Sequence, residues 1–450
     1  MGLPQACVIG EALPSIRASE RMRPMLCSHG LPTTGADDAA MEAVHSFRDH
    51  LLQMSGGNDG ILDAASAAPQ CPLLQLYAAI FWLYAQTRAG NIEAEEWIRR
   101  AEKNIAGAND REKSLLEACR RWQVNDPEGA IDLLEEITEK YPRDTVAAKA
   151  CEFNYYLTGQ HFQAERFLGH MERLIDANAT DPDLQAMYAF AQELSGHYDK
   201  ARQHGEKAVE LRFATPWAHH ALSHIALVTG DLDRGLREQT DFLPTWDNPG
   251  PSIHGHNAWH LACLRLQAGD PAGCRDLYNS HVWGHMPASK GEQADAISLL
   301  WRMEIQDETV PAARWETIAQ ACEATDDEAL NPFVTAHRGY ALARAGRTTE
   351  LETLQSAVEN ASSQGTDLRR GVWREAGLPA FNGSVAAGRD DPAGVVDALL
   401  PAVCEIPRIG GSDAQGDLWR EALADALAKL GRDADRRKVL KLLSGTRDIL

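Results

Sequence analysis

The sequence lacks the features of a membrane-anchored or secreted chain. No apolar run approaches the roughly 20 residues that a membrane-spanning helix needs, and the first residues contain no apolar segment of a signal peptide. The nine cysteines are scattered without a CxxC pair, which indicates reduced thiols rather than a disulfide framework. These absences predict a cytoplasmic protein with no membrane partner.

Positive charge is also scarce. Lys and Arg number 44 against 65 Asp and Glu, which gives a formal charge of −21. Because phosphate binding needs clustered basic side chains, this balance argues against nucleic acid as a partner. Strand signals are almost absent, and no GxSxG, Walker or GxGxxG motif occurs. The common hydrolase, nucleotide-binding and dinucleotide-binding classes therefore have no support.

What the sequence does contain is an internal repeat. A helical stretch, a short turn and a second helical stretch with Ala recur at spacings of 34 to 43 residues. The earliest spacings match the tetratricopeptide (TPR) period of about 34 residues. The predicted turn residues are Gly90, Asn125, Gly159, Gly196, Gly230, Gly269, Asp307, Gly346, Gly388 and Gly431.

The pattern predicts an all-α solenoid of about ten TPR-like antiparallel helix hairpins. One hairpin cannot bury its apolar face alone, so neighbouring hairpins must stack. We assign residues 36–450 to one superhelical domain and residues 1–35, which lack periodicity, to an extended N-terminal arm. The longer repeats toward the C-terminus suggest a superhelix that curls around an internal pocket.

Histidine is unevenly distributed along the chain. Eight of the 16 histidines and six of the 11 tryptophans fall within residues 217–315. The residues 13, 10 and 6 positions before the turn at Gly230 form one trio, and the residues at the same positions before Gly269 form a second. Spacings of three and four put each trio on one helix face. The trios are Trp217, His220 and His224, then His256, Trp259 and Cys263.

Further candidates extend this set. Asn257 and His260 adjoin the second trio, and the following repeats add other polar and aromatic residues at comparable places. The segment RIGGSDAQGD places Ser412 and Asp417 around a predicted helix start, where free N–H groups suit an anion. The residues from the following repeats are Asp295, Trp301, Arg302 and His337.

Three kinds of chemistry fit the histidines, and a structural interpretation stands beside them. The first is a metal site. The pairs His220/His224 and His256/His260 have the spacing of metal ligands, but the internal Glu of a zincin is missing, so we assign no metal. The second is acid–base catalysis with Asp295 as the orienting group. The third is binding of a carboxylated or aromatic molecule by His, Trp and Arg302. Alternatively, these side chains only fill the core.

Several of these strings together resemble one family. They include HGLPTT (29–34), MYAFAQELSGHYDKA (187–201), PWAHHALSHIALVTG (216–230), HNAWHLACLRLQAG (256–269), ADAISLLWRMEI and GGSDAQGD. On these motifs the chain is similar to the tetratricopeptide repeat protein 38 family from about residue 29 to the C-terminus. The resemblance implies a helical TPR-like fold and no particular cofactor or reaction.

Carried over by position, the resemblance marks the family's motif residues as Trp217, His220, His224, His256, Asn257, Trp259, His260, Asp295, Trp301, Arg302 and Asp417. The chain departs from the family where Glu would stand at Leu227 and Asp at Thr335. It also has Asp413 and Gly416 in place of His and Arg. These differences predict an altered substrate or a lost activity.

We keep three functional hypotheses. The first is a pocket for a small molecule, with His220, His224, His256, His260, Asp295 and His337 as candidate acid–base groups. Its substrate contacts would be Trp217, Asn257, Trp259, Trp301, Arg302, Ser412 and Asp417. The second is an adaptor that binds a peptide or partner protein in its groove, and the third is a degenerate member with no site. Whether the chain is an enzyme, which cofactor it uses and whether it forms a homodimer are left open.

Overall fold

The computed structural model describes residues 25–246, 253–323 and 329–443, and these are almost entirely helical. The all-α prediction is therefore confirmed. In the first half of the described chain the helices are α1 Asp38–Gln53, α2 Gly60–Ala67, α3 Pro72–Leu83, α4 Arg88–Glu102, α5 Asp110–Gln123, α6 Pro127–Lys140, α7 Thr145–Thr158, α8 Ala164–Leu174, α9 Pro182–Leu194, α10 Tyr198–Leu211, α11 Pro216–Thr229 and α12 Leu232–Phe242.

The second half continues in the same way. Its helices are α13 Ile253–Gln267, α14 Pro271–Leu277, α15 Lys290–Ile305, α16 Ala312–Glu323, α17 Pro332–Arg344, α18 Thr348–Ala361, α19 Asp367–Val372, α20 Leu378–Gly388, α21 Pro392–Leu399, α22 Asp413–Lys429 and α23 Asp433–Leu440. Short 3₁₀ and π turns join several of them, at 105–107, 176–178, 243–246, 278–282, 373–377, 400–402 and 406–409. Across the described ranges, no helix is both long enough and apolar enough to cross a membrane.

Local sequence sets where many of these helices begin and end. Proline, whose fixed φ suits the first helical turn, opens α3, α6, α9, α11, α14, α17 and α21. Most predicted turn residues have a positive φ, among them Asn125, Gly159 and Gly230. Two turns are displaced from their predicted places. Because the Thr87 side chain caps α4 on the N–H of Gly90, that turn falls at Gln86, and the turn predicted at Gly388 falls at Asp390.

The part of the predicted N-terminal arm that the structure describes makes one short sheet. Strands β1, Met25–Leu26, and β2, Pro32–Thr33, pair antiparallel, with Met25 opposite Thr33. The Pro32 carbonyl accepts hydrogen bonds from Arg111 and Asn109, so this segment is docked on α5. Residues 1–24 of the arm lie outside the described residues.

Helices that are neighbours in sequence contact each other in pairs, and alternate helices form a continuous inner row. In that row α9 contacts α11, α11 contacts α13, α13 contacts α15, and α15 contacts α17. The inner helices are covered on nearly all sides. From Pro216 to Val228, for example, every residue of α11 except Trp217 is buried. The covering element is in part α22, which contacts both α11 and α15.

The chain also closes on itself across a long sequence separation. The N–H of Gln160 donates to the Gly411 carbonyl, and the N–H of Gly411 donates to the Tyr156 carbonyl. Further along the same boundary, Asn331 donates to the Gln86 side chain, 245 residues away in sequence. The two backbone bonds of Gly411 hold the segment before α22 against the α7–α8 turn, and they position the start of α22 beside the inner row.

Candidate functional site

Four of the predicted histidines meet between two inner helices. His220 and His224 lie on α11, and His256 and His260 lie on α13, and the members of each pair are four positions apart in sequence. The ring centroids of five pairs within this set are 4.5 to 5.1 Å apart. We call these four side chains the imidazole cluster. The helical spacing put each pair on one face, and the contact between α11 and α13 joins the two faces.

His256 is the member with the most defined hydrogen bonds. Its Nδ1 lies 2.9 and 3.0 Å from the two carboxylate oxygens of Asp295, and its Nε2 lies 3.1 Å from Nε2 of His260. A carboxylate can only accept, so Nδ1 of His256 carries the hydrogen and Nε2 presents its lone pair to the cluster. The side chain of His256 is 15% exposed, whereas His224 and His260 are fully buried.

A second set of polar groups adjoins the cluster at His224. Nδ1 of His224 lies 3.0 Å from Asp413 and 3.5 Å from Glu193. Glu193 comes from the end of α9, and Asp413 is the first residue of α22. All three side chains are buried, and neither carboxylate oxygen of Glu193 has a hydrogen-bond partner. A buried carboxylate without a donor is costly, so this set is a place where a proton or another cation would be bound.

Burial dominates the proton affinities of these groups. Burial, together with the neighbouring imidazoles, holds the pKa of His220 and of His260 well below its ordinary value. Burial and the adjacent Asp413 raise the pKa of Glu193 well above its ordinary value. Burial would also raise the pKa of Asp413, but His224 outweighs it and lowers that pKa to about 2. Burial thus favours neutral rings at His220 and His260, an ionised carboxylate at Asp413 and a protonated one at Glu193.

Aromatic and basic side chains surround the cluster. The Trp217 ring packs edge-on against His220 and carries the Lys149 ammonium 3.2 Å from its centroid. Trp259 stacks on His256 with centroids 5.2 Å apart, and its indole N–H donates to Ser298. The guanidinium carbon of Arg302 lies 5.4 Å from the centroid of the Trp259 ring.

Beyond Trp259 lies a cavity of about 360 Å³. Its wall includes Leu227, Cys263, Arg302 and Ala414, so it reaches the start of α22. The four histidines do not line it, and the Trp259 ring, which stacks on His256, connects the cavity to the cluster. Arg302 donates to the Ala414 carbonyl and pairs with Glu421, while its Nη1 is buried without a hydrogen-bond partner. The cavity thus has an aromatic wall and an unsatisfied guanidinium nitrogen.

Other predicted site residues lie outside the cluster. Nδ1 of His337 donates to the Phe333 carbonyl at 2.9 Å, the ring packs on Trp419, and burial lowers the pKa of His337 to about 3. Trp301 stacks on Tyr340 and lines a different cavity.

Three more predicted contacts have structural partners. Asn257 donates to the Pro216 carbonyl and so ties α13 to α11. Ser412 caps α22 by accepting from the Gln415 N–H, and Asp417 accepts from Arg420 within the same helix.

The structure adds four residues that the sequence did not single out as site groups. They are Glu193 and Asp413 beside His224, Lys149 against Trp217, and Ser298 on the Trp259 indole. Glu193 and Asp413 lie inside two of the strings that carried the family resemblance, which was the signal available for them. A comparison of the chain with models of known protein families finds no match, so the resemblance stays a prediction.

Proposed function

We propose that this chain is a TPR-like helical array, curled around its inner helices, that binds a small molecule beside the imidazole cluster and transforms it by acid–base chemistry. Membership of the tetratricopeptide repeat protein 38 family is part of the same proposal. The observation that carries it is the convergence of four imidazoles, one of them bonded to Asp295 and partly open to solvent.

The covered interior favours a small molecule over a peptide. A peptide-binding groove would leave one face of the inner helices open over several repeats. Here α11 is buried along nearly its whole length and α22 packs on it, so an extended chain has no continuous surface to lie on. A cavity of about 360 Å³ is within the usual range of about 300–1,000 Å³ for ligand pockets.

The His256–Asp295 pair supplies the acid–base group. Because Asp295 accepts from Nδ1, it fixes the ring and stabilises the imidazolium that forms when Nε2 takes a proton. Burial lowers the pKa of His220 and of His260, so these rings carry no positive charge that would oppose protonation of His256. His256 is thus the residue we assign to proton transfer, with Asp295 as its positioning residue.

Arg302 and Trp259 are suited to bind a carboxylated or aromatic molecule. The guanidinium has one buried N–H without a partner, which a carboxylate would satisfy, and the indole supplies a flat apolar wall. Two departures from the family pattern fall at this place, since Leu227 lines the cavity and Asp413 contacts His224. We therefore propose that this chain acts on a different substrate from other members.

A thermal-shift screen tests the proposal. Purified protein is screened against small carboxylic acids and aromatic metabolites, with His256→Gln as the site variant and the exposed His285→Ala as the control. We expect at least one compound to raise the melting temperature of the wild type and of the control, but not of His256→Gln. If peptides alone stabilise the protein, or if every stabilising compound acts equally on His256→Gln, the proposal is wrong.

A further inference from the structure

The imidazole cluster has a feature that acid–base chemistry does not require. Each of His220, His256 and His260 has a ring nitrogen that lies within 4.8 Å of the corresponding nitrogen of the other two. Two nitrogens that bind one tetrahedral metal ion at 2.0–2.1 Å are about 3.3 Å apart. The 3.1 Å between Nε2 of His256 and Nε2 of His260 is close to that value.

The hydrogen bond to Asp295 matches the environment of a metal-binding histidine. In metal sites the second ring nitrogen of a ligand usually donates to a carboxylate, which fixes the tautomer and makes the binding nitrogen more basic. Nδ1 of His256 donates to Asp295, so its free lone pair is on Nε2, the atom that faces His260. His256 is therefore already arranged as a ligand.

The other two rings lie close to His256 and to each other. The ring centroids of His220 and His260 are 4.9 Å apart, and they lie 5.1 and 4.6 Å from that of His256. Nδ1 of His220 and Nδ1 of His260 are buried without hydrogen-bond partners. Rings packed only as core residues would satisfy these nitrogens more fully.

The charge around the cluster also favours a cation. Lys149 pairs with Glu152, and Arg302 pairs with Glu421, so these cations are offset by their own partners. Asp295 and Asp413, in contrast, each face a histidine of the cluster. Carboxylates placed next to imidazoles lower the energy of a divalent ion bound among them.

We propose that His220, His256 and His260 bind one divalent transition-metal ion, with Asp295 as the positioning residue for His256. Nitrogen ligands of this kind suit zinc, iron, cobalt or nickel rather than magnesium or calcium. Three protein ligands leave a coordination position for water or substrate, and His256 lies on the solvent-accessible side. The inference shares with the proposed function only the cluster as the site: the one Nε2 lone pair of His256 holds either a proton or a metal ion, so His256 transfers protons only in the metal-free protein.

Titration with the metal alone tests this inference. The full chain, without an affinity tag, is stripped with a chelator and titrated with Co²⁺ and with Zn²⁺ by calorimetry, and the Co²⁺ complex is followed by its visible absorption. We expect one equivalent to bind and to give the intense bands of a four- or five-coordinate Co²⁺ site. Weak binding without a defined stoichiometry, or the pale spectrum of hydrated Co²⁺, would overturn the inference.

Variants assign the ligands. His256→Gln should weaken Co²⁺ binding at least 100-fold and abolish the bands, whereas His285→Ala should change neither. Asp295→Asn should keep the bands but weaken binding about 10- to 100-fold, as loss of an outer hydrogen-bond partner does. Wild-type affinity in both His256→Gln and His220→Gln would contradict the assignment.

Two further measurements keep the test independent of folding and of the proposed function. Each variant's melting temperature is recorded in chelator and with Co²⁺, and we expect the Co²⁺-induced rise to disappear in His256→Gln even if its chelator value is lower. The small-molecule screen is repeated in chelator. If a small molecule raises the melting temperature but no metal binds, the metal site is refuted and the proposed function stands. If metal binds but no small molecule raises the melting temperature, the metal site stands and the proposed function is refuted.

Discussion

Glu193 lies in an environment that an ionised side chain does not favour. It is buried beside Asp413 with neither oxygen hydrogen-bonded, and both features raise its pKa. Its unfolded form ionises above about pH 4.3, while the folded form keeps its proton. Glu193 therefore contributes most to stability below that pH and contributes progressively less as the pH rises toward its folded pKa.

Glu193→Gln should consequently stabilise the metal-free protein more at pH 8 than at pH 5, by about 1 kcal/mol or more at the higher pH. The comparison is made by urea denaturation in chelator at both values. Glu210→Gln, at an exposed position on α10, is the control and should change stability little at either pH. A gain that is equal at the two pH values would show that Glu193 is ionised in the folded protein.

The buried imidazoles predict the opposite pH trend. His220, His260 and His337 have pKa values held below 6.5 by burial, so the folded state binds fewer protons than the unfolded state at acid pH. Their contribution is complete above pH 6.5 and is lost as the pH falls, by about 1.4 kcal/mol per pH unit for each group. The free energy of unfolding in chelator should therefore fall steeply between pH 6.5 and 5.

His337→Gln isolates one group in this trend. Its slope against pH should be shallower than that of the wild type by about 1.4 kcal/mol per unit, even if its stability at pH 7.5 is lower. An exposed residue, His285, offers the control, and His285→Ala should keep the wild-type slope. An unchanged slope in His337→Gln would mean that this ring is protonated in the folded state.

The sequence predicted part of this site because helical spacing is a local property. His220 with His224, and His256 with His260, lie four residues apart, and this alone put each pair on one face. It could not supply Glu193 or Asp413, because they reach His224 from α9 and from α22. Nor could it separate Trp259, which stacks on His256, from Trp301, which stacks on Tyr340.

At the scale of elements, the start of α22 determines where Asp413 lies. Ser412 and Gln415 form a capping box, in which each side chain bonds the other's backbone N–H. The sequence placed Ser412 at a predicted helix start and counted it among the substrate contacts. In the structure its hydroxyl accepts from the Gln415 N–H, so the cap is the interaction that is present.

Ser412→Ala should lower the free energy of unfolding by about 1 kcal/mol, the usual value of an N-cap. Thr366→Ala is the matched control, because Thr366 caps α19 in the same way at a distance in sequence from the cluster. Both variants should lose similar stability in urea denaturation, and in neither should the rise in melting temperature caused by a ligand change strongly. A Ser412→Ala variant of full stability that no longer responds to a ligand would instead show a substrate contact.

At the scale of the whole molecule, the α7–α8 turn packs closely against the segment before α22, in a contact that we call the closure. A Cβ on Gly159 would lie 1.8 Å from the Pro407 carbonyl oxygen, and Gly159 has a φ of +91°. Gly196 occupies an equivalent turn with a φ of +76°, but a Cβ there would meet nothing within 4 Å. Both glycines have a positive φ, and only Gly159 has a backbone atom in close approach.

Gly159→Ala should therefore cost more than about 3 kcal/mol, because the closure must open or shift. Gly196→Ala should cost roughly 1–2 kcal/mol, the price of a left-handed conformation for a residue with a Cβ. Chemical denaturation measures both, and limited proteolysis near residue 407 reports opening of the closure. Equal losses in the two variants would show that the closure contributes little.

The closure is also what the sequence could not predict at this scale. Periodicity gives the helices and most of their turns, since Gly or Asn with a positive φ marks a helix end. It says nothing about contacts such as the one between Asn331 and Gln86. These residues are 245 positions apart in sequence, so their contact depends on how every intervening helix packs. The sequence suggested a curled superhelix, and the segments that meet became apparent only in three dimensions.

One consequence of the closure concerns how such a chain can evolve. Open helical arrays change length readily, because an added unit contacts only its neighbours and leaves the rest undisturbed. Here Gly411 bonds the α7–α8 turn directly, so inserting or deleting one helix pair between them would rotate the two partners apart. We therefore expect insertions and deletions between Gln160 and Gly411 to be confined to loops, as they are between the strands of a closed barrel.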